Sequence, residues 1–399
     1  MRHPWCGDPA SPGADPPDPP RGGSSRPWES EQHSRNGSRV VTRICLPACG
    51  HVRDRRAGPR PQDACRAGGK LATVSAYSNT VGATDVKTED LERHRQELTG
   101  YCYRMLGSGF DADDAVQETI VRAWRGIDGF EHRSGVRSWL YRIATNVCID
   151  MLRGRSRRAW PIDLGPSATA ESSIGSMLPE QAWLQPIPDS RVLPGDGDPA
   201  ELATLKETIR LAFVAALQYL PPRQRAVLIL REVLRWQATE VAELLDTSVA
   251  SVNSALQRAR ATLAARDADT PTGDVVEADQ RVLLARYVDA FERYDIASLV
   301  TLLHDDAVMS MPPYDFWLQG PVEMGRWFLG QGINCRGSRL VATTANGCAA
   351  FGSYRSDGRG GHHPWAMQVI EVADGRIIGH HNFLDTRLFA AFGLPALLP

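Results

Sequence analysis

The sequence predicts a multidomain chain, two all-α domains followed by an α+β domain, and three features predict it. Helical apolar spacing runs through Leu91–Arg158, and a helix-turn-helix pattern occupies Ala238–Leu263. Past residue 278, two amphipathic helices give way to a series of strand-like runs that closes on an Asp374-Gly375 hairpin signal. A length of 399 residues is itself too great for one ordinary domain.

Residues 1–85 are rich in Pro, Gly, Ser and Arg and keep no hydrophobic period. Such a segment cannot bury enough apolar surface to offset its ordering entropy, so it is expected to be a disordered extension, or to precede a true start near Val74 or Val86. Cys45, Cys49, His51 and Cys65 lie there, but their spacing fits no common zinc finger, so no metal site is assigned.

The first all-α domain is expected over 86–160. Val116, Ile120 and Trp124 recur every four residues beside Ala112, Ala115 and Ala123, which predicts one buried helix face. Asp111, Asp114 and Glu118 line another face. A second helix places Leu140, Ile143, Val147 and Met151 inward. Residues 161–204 read as an acidic, Pro-rich linker with one apolar island at Ala182–Asp189. The second all-α domain, 205–267, opens on an Ile209–Phe213–Leu217–Leu220 stripe, and Pro221-Pro222 ends one helix and starts the next. Asp246 stands where the turn needs a left-handed backbone, and Ser248 is a candidate cap. In the last domain, 278–399, helices at Arg281–Glu292 and Ile296–His304 precede a run of antiparallel strands at 307–311, 316–319, 340–345, 349–354, 365–373 and 376–382.

Net charge is −2, so the distribution of charge, not its sum, must point to a partner. No run approaches the roughly 18 apolar residues of a membrane span, no signal-peptide core is present, and a cytoplasmic protein with free thiols and no membrane partner is expected. In the helix after the turn, Val252, Leu256, Ala259 and Leu263 point inward, leaving Ser251, Asn253, Ser254, Gln257, Arg258 and Arg260 outward. Small residues let such a helix enter a major groove, and Gln, Asn and Arg can read base edges or phosphates. Over Val136–Arg158, Arg137, Arg142, Arg153, Arg155, Arg157 and Arg158 face one acid, Asp150, with Phe130, Trp139 and Tyr141 close by. Cations among aromatics suit single-stranded or distorted DNA.

Together these blocks resemble the bacterial sigma-70 family, extracytoplasmic-function (ECF) group. The resemblance rests on DADDAVQET-x4-AW, on F-x8-SWLYRIATN-x3-D-x2-R, and on LPPRQRAVLILRE with the helix-turn-helix. It implies that Asp111, Asp114, Gln117 and Glu118 lie at a contact with the β′ clamp of core RNA polymerase. It implies a −10 reader built on Phe130, Trp139, Arg142, Asn146, Arg153 and Arg157, with loop Glu131–Val136 capturing a flipped base. It also implies a −35 reader on Ser251, Asn253, Ser254, Gln257, Arg258 and Arg260, a polymerase β flap contact, and a linker threading the polymerase cleft. Many relatives carry basic residues at the positions of Asn253 and Ala255, so two phosphate contacts are missing here.

The last domain resembles the SnoaL-like fold, a cystatin-type curved sheet over helices, through Tyr287–Phe291, LLHDDAVMSMPP, WLQGP and the closing hairpin. Enzymes of that fold use a pocket His or Asp, which makes His304, Asp306, His362, His363, His380, His381 and Asp385 candidates beside Trp317 and Trp365. No catalytic residue or cofactor is assigned, and any pocket ligand stays unnamed. In sigma factors with this extension the resemblance implies regulation in cis. The expected function is promoter-specific transcription initiation with no chemistry of its own. The alternatives are a cyclase- or isomerase-like enzyme fused to a DNA-binding regulator, and a plain repressor or activator.

Overall fold

A computed structural model of the chain describes residues 88–130, 135–265 and 277–399. The N-terminal extension with its cysteines, and Glu131–Ser134 of the base-capture loop, lie outside the described residues.

The first helical unit comprises α1 (Thr88–Glu92), α2 (Arg95–Leu106), α3 (Gly109–Gly126) and α4 (Val136–Leu152). Helix α2 is its centre, buried at every position from Leu98 to Leu106. It stops at Gly107, whose positive φ continues the chain left-handed, and Ser108 then caps α3 by accepting a bond from the Asp111 amide at 3.1 Å. Helix α3 buries Ala112, Ala115, Val116, Thr119, Ile120 and Ala123. Trp124, expected in that face, is instead 60% exposed. The cause is helical geometry: each four-residue step turns about 40° past a full circle, so two steps carry Trp124 off the stripe begun by Val116.

The second helical unit comprises α5 (Pro199–Glu207), α6 (Leu211–Leu217), α7 (Pro222–Leu228, extended by a wide turn Ile229–Val233), α8 (Ala238–Leu244) and α9 (Val249–Ala264). The expected single stripe from Ile209 to Leu220 is broken between α5 and α6, yet Ile209, Phe213, Leu217 and Leu220 are all buried. Asp246 takes a positive φ in the left-handed region, and Ser248 accepts from the Ser251 amide at 3.1 Å, as the turn chemistry required.

The stretch between the units was expected to be loop-like. It is irregular but packed, with Trp183 through Pro188 buried. The Ala159 and Gln185 amides donate to the Ala182 and Gly107 carbonyls at 2.7 and 3.0 Å, and the Tyr103 hydroxyl donates to the Gln185 carbonyl at 2.9 Å. An apolar island next to prolines can lie extended over a helix junction once its polar backbone atoms find partners there.

The last unit holds α10 (Glu277–Glu292), α11 (Ile296–Thr301), β1 (Leu303–Ser310), β2 (Trp317–Gln319), α12 (Pro321–Leu329), β3 (Arg339–Ala345), β4 (Cys348–Ser356), β5 (His362–Ala373), β6 (Arg376–Phe383) and α13 (Arg387–Ala391). Its sheet runs β2-β1-β6-β5-β4-β3. The expected all-antiparallel set is corrected to a mixed sheet, because β1 and β6 pair in parallel. After β2 the chain crosses through α12 to the far edge and returns by three antiparallel steps, which brings β6 beside β1 in the same direction. Helix α12 was not anticipated. Met324, Trp327 and Phe328 have helical spacing, but Gly320, Gly325 and Gly330 punctuate the run like a loop. Gly325 is there for packing: a Cβ would sit 3.1 Å from Val300 Cγ1 of α11. One apolar core joins both helical units to Ala345, Cys348, Met367, Val369 and Phe383 of the sheet, and a second fills the sheet's other face under α10 to α12.

Candidate nucleic-acid interface

On α9 the inward stripe Val252, Leu256, Ala259 and Leu263 is buried, which anchors the helix and fixes its opposite face. Ser251, Asn253, Ser254, Gln257 and Arg258 are all exposed on that face. Arg260 is exposed but engaged, since its Nη2 donates to Glu232 Oε1 at 2.6 Å. Arg258 is therefore the cation of this set best placed to meet an incoming polyanion.

Helix α4 presents a different picture. The Phe130 and Trp139 rings stack with centroids 4.7 Å apart at the start of the helix. Asn146 is exposed, and Arg153 leans back on Asp150 at 3.2 Å. Arg142 donates to the Glu243 carbonyl of α8 at 2.9 Å. Arg137 lies over both the Tyr141 and Trp236 rings, at 5.1 and 5.2 Å, and Tyr141 meets Trp236 directly. Arg157 stacks on Tyr219 at 3.7 Å from the ring centre. The apparent excess of arginine over acid is also smaller in space than in sequence. Glu97 takes Arg137 at 2.8 Å, Asp163 takes Arg157 at 3.8 Å, and Asp111 takes Arg155 and Arg158 at 3.0 and 2.6 Å.

That last pairing places Asp111 apart from the other acids of α3. Its carboxylate is held by two arginines of the same chain, and Asp113 is held by Arg191. Asp114 and Gln117 are exposed, Glu118 is half-buried and pairs with Arg122 at 2.6 Å, and Trp124 stands on the same side of the helix. Sequence reasoning missed Trp124 as a surface residue. The signal was available in the helical phase of the alanines, which centre the buried face elsewhere.

In the last unit the candidate acids and bases do not converge. His304 Nδ1 accepts from the Asp306 amide at 3.1 Å, His362 Nε2 meets the Gly337 carbonyl at 3.1 Å, and Asp385 is clamped by Arg387. Trp317 donates to the Gly165 carbonyl at 3.0 Å, and Trp365 lies under Arg355. His380 sits in a closed network among Tyr287, Phe328 and the sheet. The Asn382 amide NH2 donates to His380 Nδ1 at 2.9 Å, so the proton is on Nε2 and is donated to the Tyr287 hydroxyl at 2.8 Å. Tyr287 in turn donates to Gln368 Oε1 at 2.7 Å. A proton added at Nδ1 would face the Asn382 donor inside an apolar shell. Burial, with His381 adjacent, accordingly pushes His380 down to about 3.

The sign of the resulting pH dependence is fixed. Between about 3 and the unfolded value of 6.5 the unfolded chain binds the proton and the folded chain does not. This contribution is full above 6.5 and is lost as pH falls toward 3, by up to a few kcal/mol. NMR titration should show the His380 ring neutral from pH 5 to 8; a midpoint near 6 would contradict the network.

The β3–β4 hairpin joins the three units. Its turn is Asn346-Gly347, both with positive φ, the pair of left-handed residues that a two-residue hairpin needs. Asn346 is fully buried. Its Oδ1 accepts from the Ile187 amide at 3.0 Å, and its Nδ2 donates to the Tyr103 hydroxyl and the Ile209 carbonyl, each at 2.6 Å. The Gly347 amide donates to Asp189 Oδ1 at 2.8 Å. One turn of the sheet thus bonds to α2, to the linker and to the start of the second helical unit.

A helix-turn-helix with an exposed polar face, preceded by a basic aromatic helix and an acidic amphipathic one, defines a class: DNA-binding subunits that bring a polymerase to a promoter. The comparisons agree. Residues 91–158 match the model of Sigma-70 region 2, residues 210–263 that of Sigma-70, region 4, and residues 284–380 that of the SnoaL-like domain. The chain is 45% identical over 341 residues to the ECF RNA polymerase sigma factor SigG of Mycobacterium tuberculosis, spanning 82% of this chain and 90% of the relative. It belongs to the ECF sigma factors of RNA polymerase, and it directs promoter-specific transcription initiation with core RNA polymerase. SigW of Bacillus subtilis is 28% identical over 46% of this chain and 89% of its own. The crystal structure of the Mycobacterium tuberculosis ECF sigma factor SigJ shares the fold, with a TM-score of 0.51 at 22% identity, over 77% of this chain and all of that one.

Proposed function

We propose that this sigma factor is held closed by its own C-terminal domain and that polymerase or a signal must open it before it can read a promoter. In this reading the exposed face of α3, with Asp114, Gln117, Glu118 and Trp124, docks on the β′ clamp, and the second helical unit meets the β flap. Phe130, Trp139, Arg142, Asn146, Arg153 and Arg157 serve the −10 element, and Ser251, Asn253, Ser254, Gln257, Arg258 and Arg260 the −35 element. Asp111 belongs to the internal ion pairs rather than the docking face.

The observation that carries the proposal is Arg142 bound to the Glu243 carbonyl, with Tyr141 and Arg137 against Trp236. The two promoter elements lie about 25 base pairs apart, roughly 85 Å along B-form DNA at 3.4 Å per pair. Here the helix assigned to one element touches the unit assigned to the other, so both cannot be engaged at once. Asn346 and Gly347 bond to both helical units and the linker, and so hold that arrangement.

Run-off transcription with core polymerase, using promoters recovered by sequencing DNA bound to the holoenzyme, tests the reading. Initiation is expected only when the chain is added, and to rise in Asn346→Gly, where the hairpin bonds that hold it closed are removed; no initiation at any recovered promoter with either protein sinks it. Arg258→Ala should weaken −35 recognition by about 1–3 kcal/mol if the guanidinium reads a base. A −35 preference unchanged in that variant would remove Arg258 from the reader.

A further inference from the structure

At the seam between the two helical units lies a half-open pocket of about 190 Å³. Arg155, Arg157 and Arg158, from the segment after α4, line it together with Ser156, Arg225 of α7 and Asp111 of α3. Of these four guanidinium groups, Arg157 is paired with Asp163 at 3.8 Å, and Arg155 and Arg158 share Asp111, which leaves Arg225 without an acid.

Arg225 makes the imbalance acute. It is 4% exposed, and its Nη1 and Nη2 bonds end on neutral oxygens only: the Met105, Gln218 and Leu220 carbonyls and Gln218 Oε1. Its Nε has no partner. Burial lowers its pKa to about 10, which still leaves it a cation at neutral pH. A cation withdrawn from water without a counter-charge is costly unless an anion comes to meet it.

We propose that this pocket binds a small phosphate-bearing anion, which braces the first helical unit against the second. Guanidinium groups lining one pocket from two elements, the segment after α4 and α7, suit a tetrahedral oxyanion of charge −2 or more better than a single carboxylate. A DNA backbone phosphate fits poorly, because Arg158 and Arg225 are nearly covered and one wall is the second helical unit itself. The site rests on the closed arrangement proposed above.

The test titrates the full chain with inorganic pyrophosphate at constant ionic strength, by calorimetry and thermal melting, with sulfate and orthophosphate alongside. Saturable one-site binding and a raised melting temperature are expected. Affinity should fall at least tenfold in the Arg155→Gln, Arg157→Gln double variant, whose two altered side chains are 37% and 34% exposed and are replaceable without opening the core. Arg225→Gln should abolish binding; if that variant fails to fold, the double variant decides. No saturable binding up to millimolar pyrophosphate, or unchanged affinity in the double variant, overturns the proposal. Labels on α4 and α9 are read in the same samples. If they are close and pyrophosphate does not bind, only the anion site falls; if they are far apart, the closed arrangement falls and takes the site with it.

Discussion

Asn346→Gly is expected to raise run-off transcription by the full chain at least tenfold at limiting core polymerase. The substitution keeps the left-handed backbone of the turn, since glycine accepts a positive φ freely, and removes only the side chain. Three buried hydrogen bonds go with it. Each contributes about 0.5–1.5 kcal/mol net, and a buried group left unpaired costs about 1–3 kcal/mol more. The Ile187 amide and Ile209 carbonyl would both lose their Asn346 partner in the closed form but could meet water in the open one. About 3 kcal/mol of bias toward opening corresponds to a factor of roughly 100 in the closed-to-open ratio. Gly347→Val should act in the same direction by a different route. Its Cβ would lie 3.0 Å from both the Cβ and the carbonyl oxygen of Lys206, at a left-handed backbone that a β-branched residue resists. Unchanged transcription in both variants, with their melting temperatures lowered, would mean the hairpin stabilises the fold without restraining function.

Trp124→Ala is expected to weaken binding to core polymerase about 30-fold while leaving the melting temperature within a degree or two. The residue is exposed and the helix buries its other face, so folding loses little. Exposed tryptophans beside a polar rim are the residues that interfaces most often use as anchors, and truncating one commonly costs about 2 kcal/mol or more. Asp114→Ala with Glu118→Ala should act more weakly and with a stronger salt dependence, as rim charges do. Normal core affinity in the Trp124 variant would move the docking face away from α3.

Much of this architecture could be read from residue order alone, because its signals are local. Ser248 as a cap, Asp246 as a left-handed turn residue and the Val252–Leu263 stripe each depend on neighbours within one or two turns, and each stands in the fold as the pattern implied. Most strand positions followed from alternation and from the turn at Asp374-Gly375 in the same way, but β1 begins at Leu303, inside the helix expected over Ile296–His304, which stops at Thr301. What escaped is non-local. The parallel pairing of β1 with β6 depends on where α12 carries the chain, and no residue in either strand encodes it. Trp124 was misplaced by counting fours where the helix counts 3.6. Asn346-Gly347 is a hairpin signal in the sequence, but a tight turn looks alike whether it faces water or bonds to Tyr103 and Ile209. The arginines of α4 and of the segment after it read as free cations because their acids, Glu97, Asp111 and Asp163, lie on other elements.

Closure by the C-terminal domain requires that the free chain keep its two promoter-reading units together. Fluorescence energy transfer between labels at Asp150 on α4 and Ala261 on α9 measures this directly, both positions being exposed and outside the residues assigned to the promoter. The first-stretch cysteines Cys6, Cys45, Cys49 and Cys65 are replaced by serine so that the labels are specific, while Cys102, Cys148, Cys335 and Cys348 are buried. One short distance is expected in the free protein, lengthening on assembly with core polymerase and promoter DNA, and partly lengthened already in Asn346→Gly. A free wild-type chain that shows the long distance from the outset would contradict it.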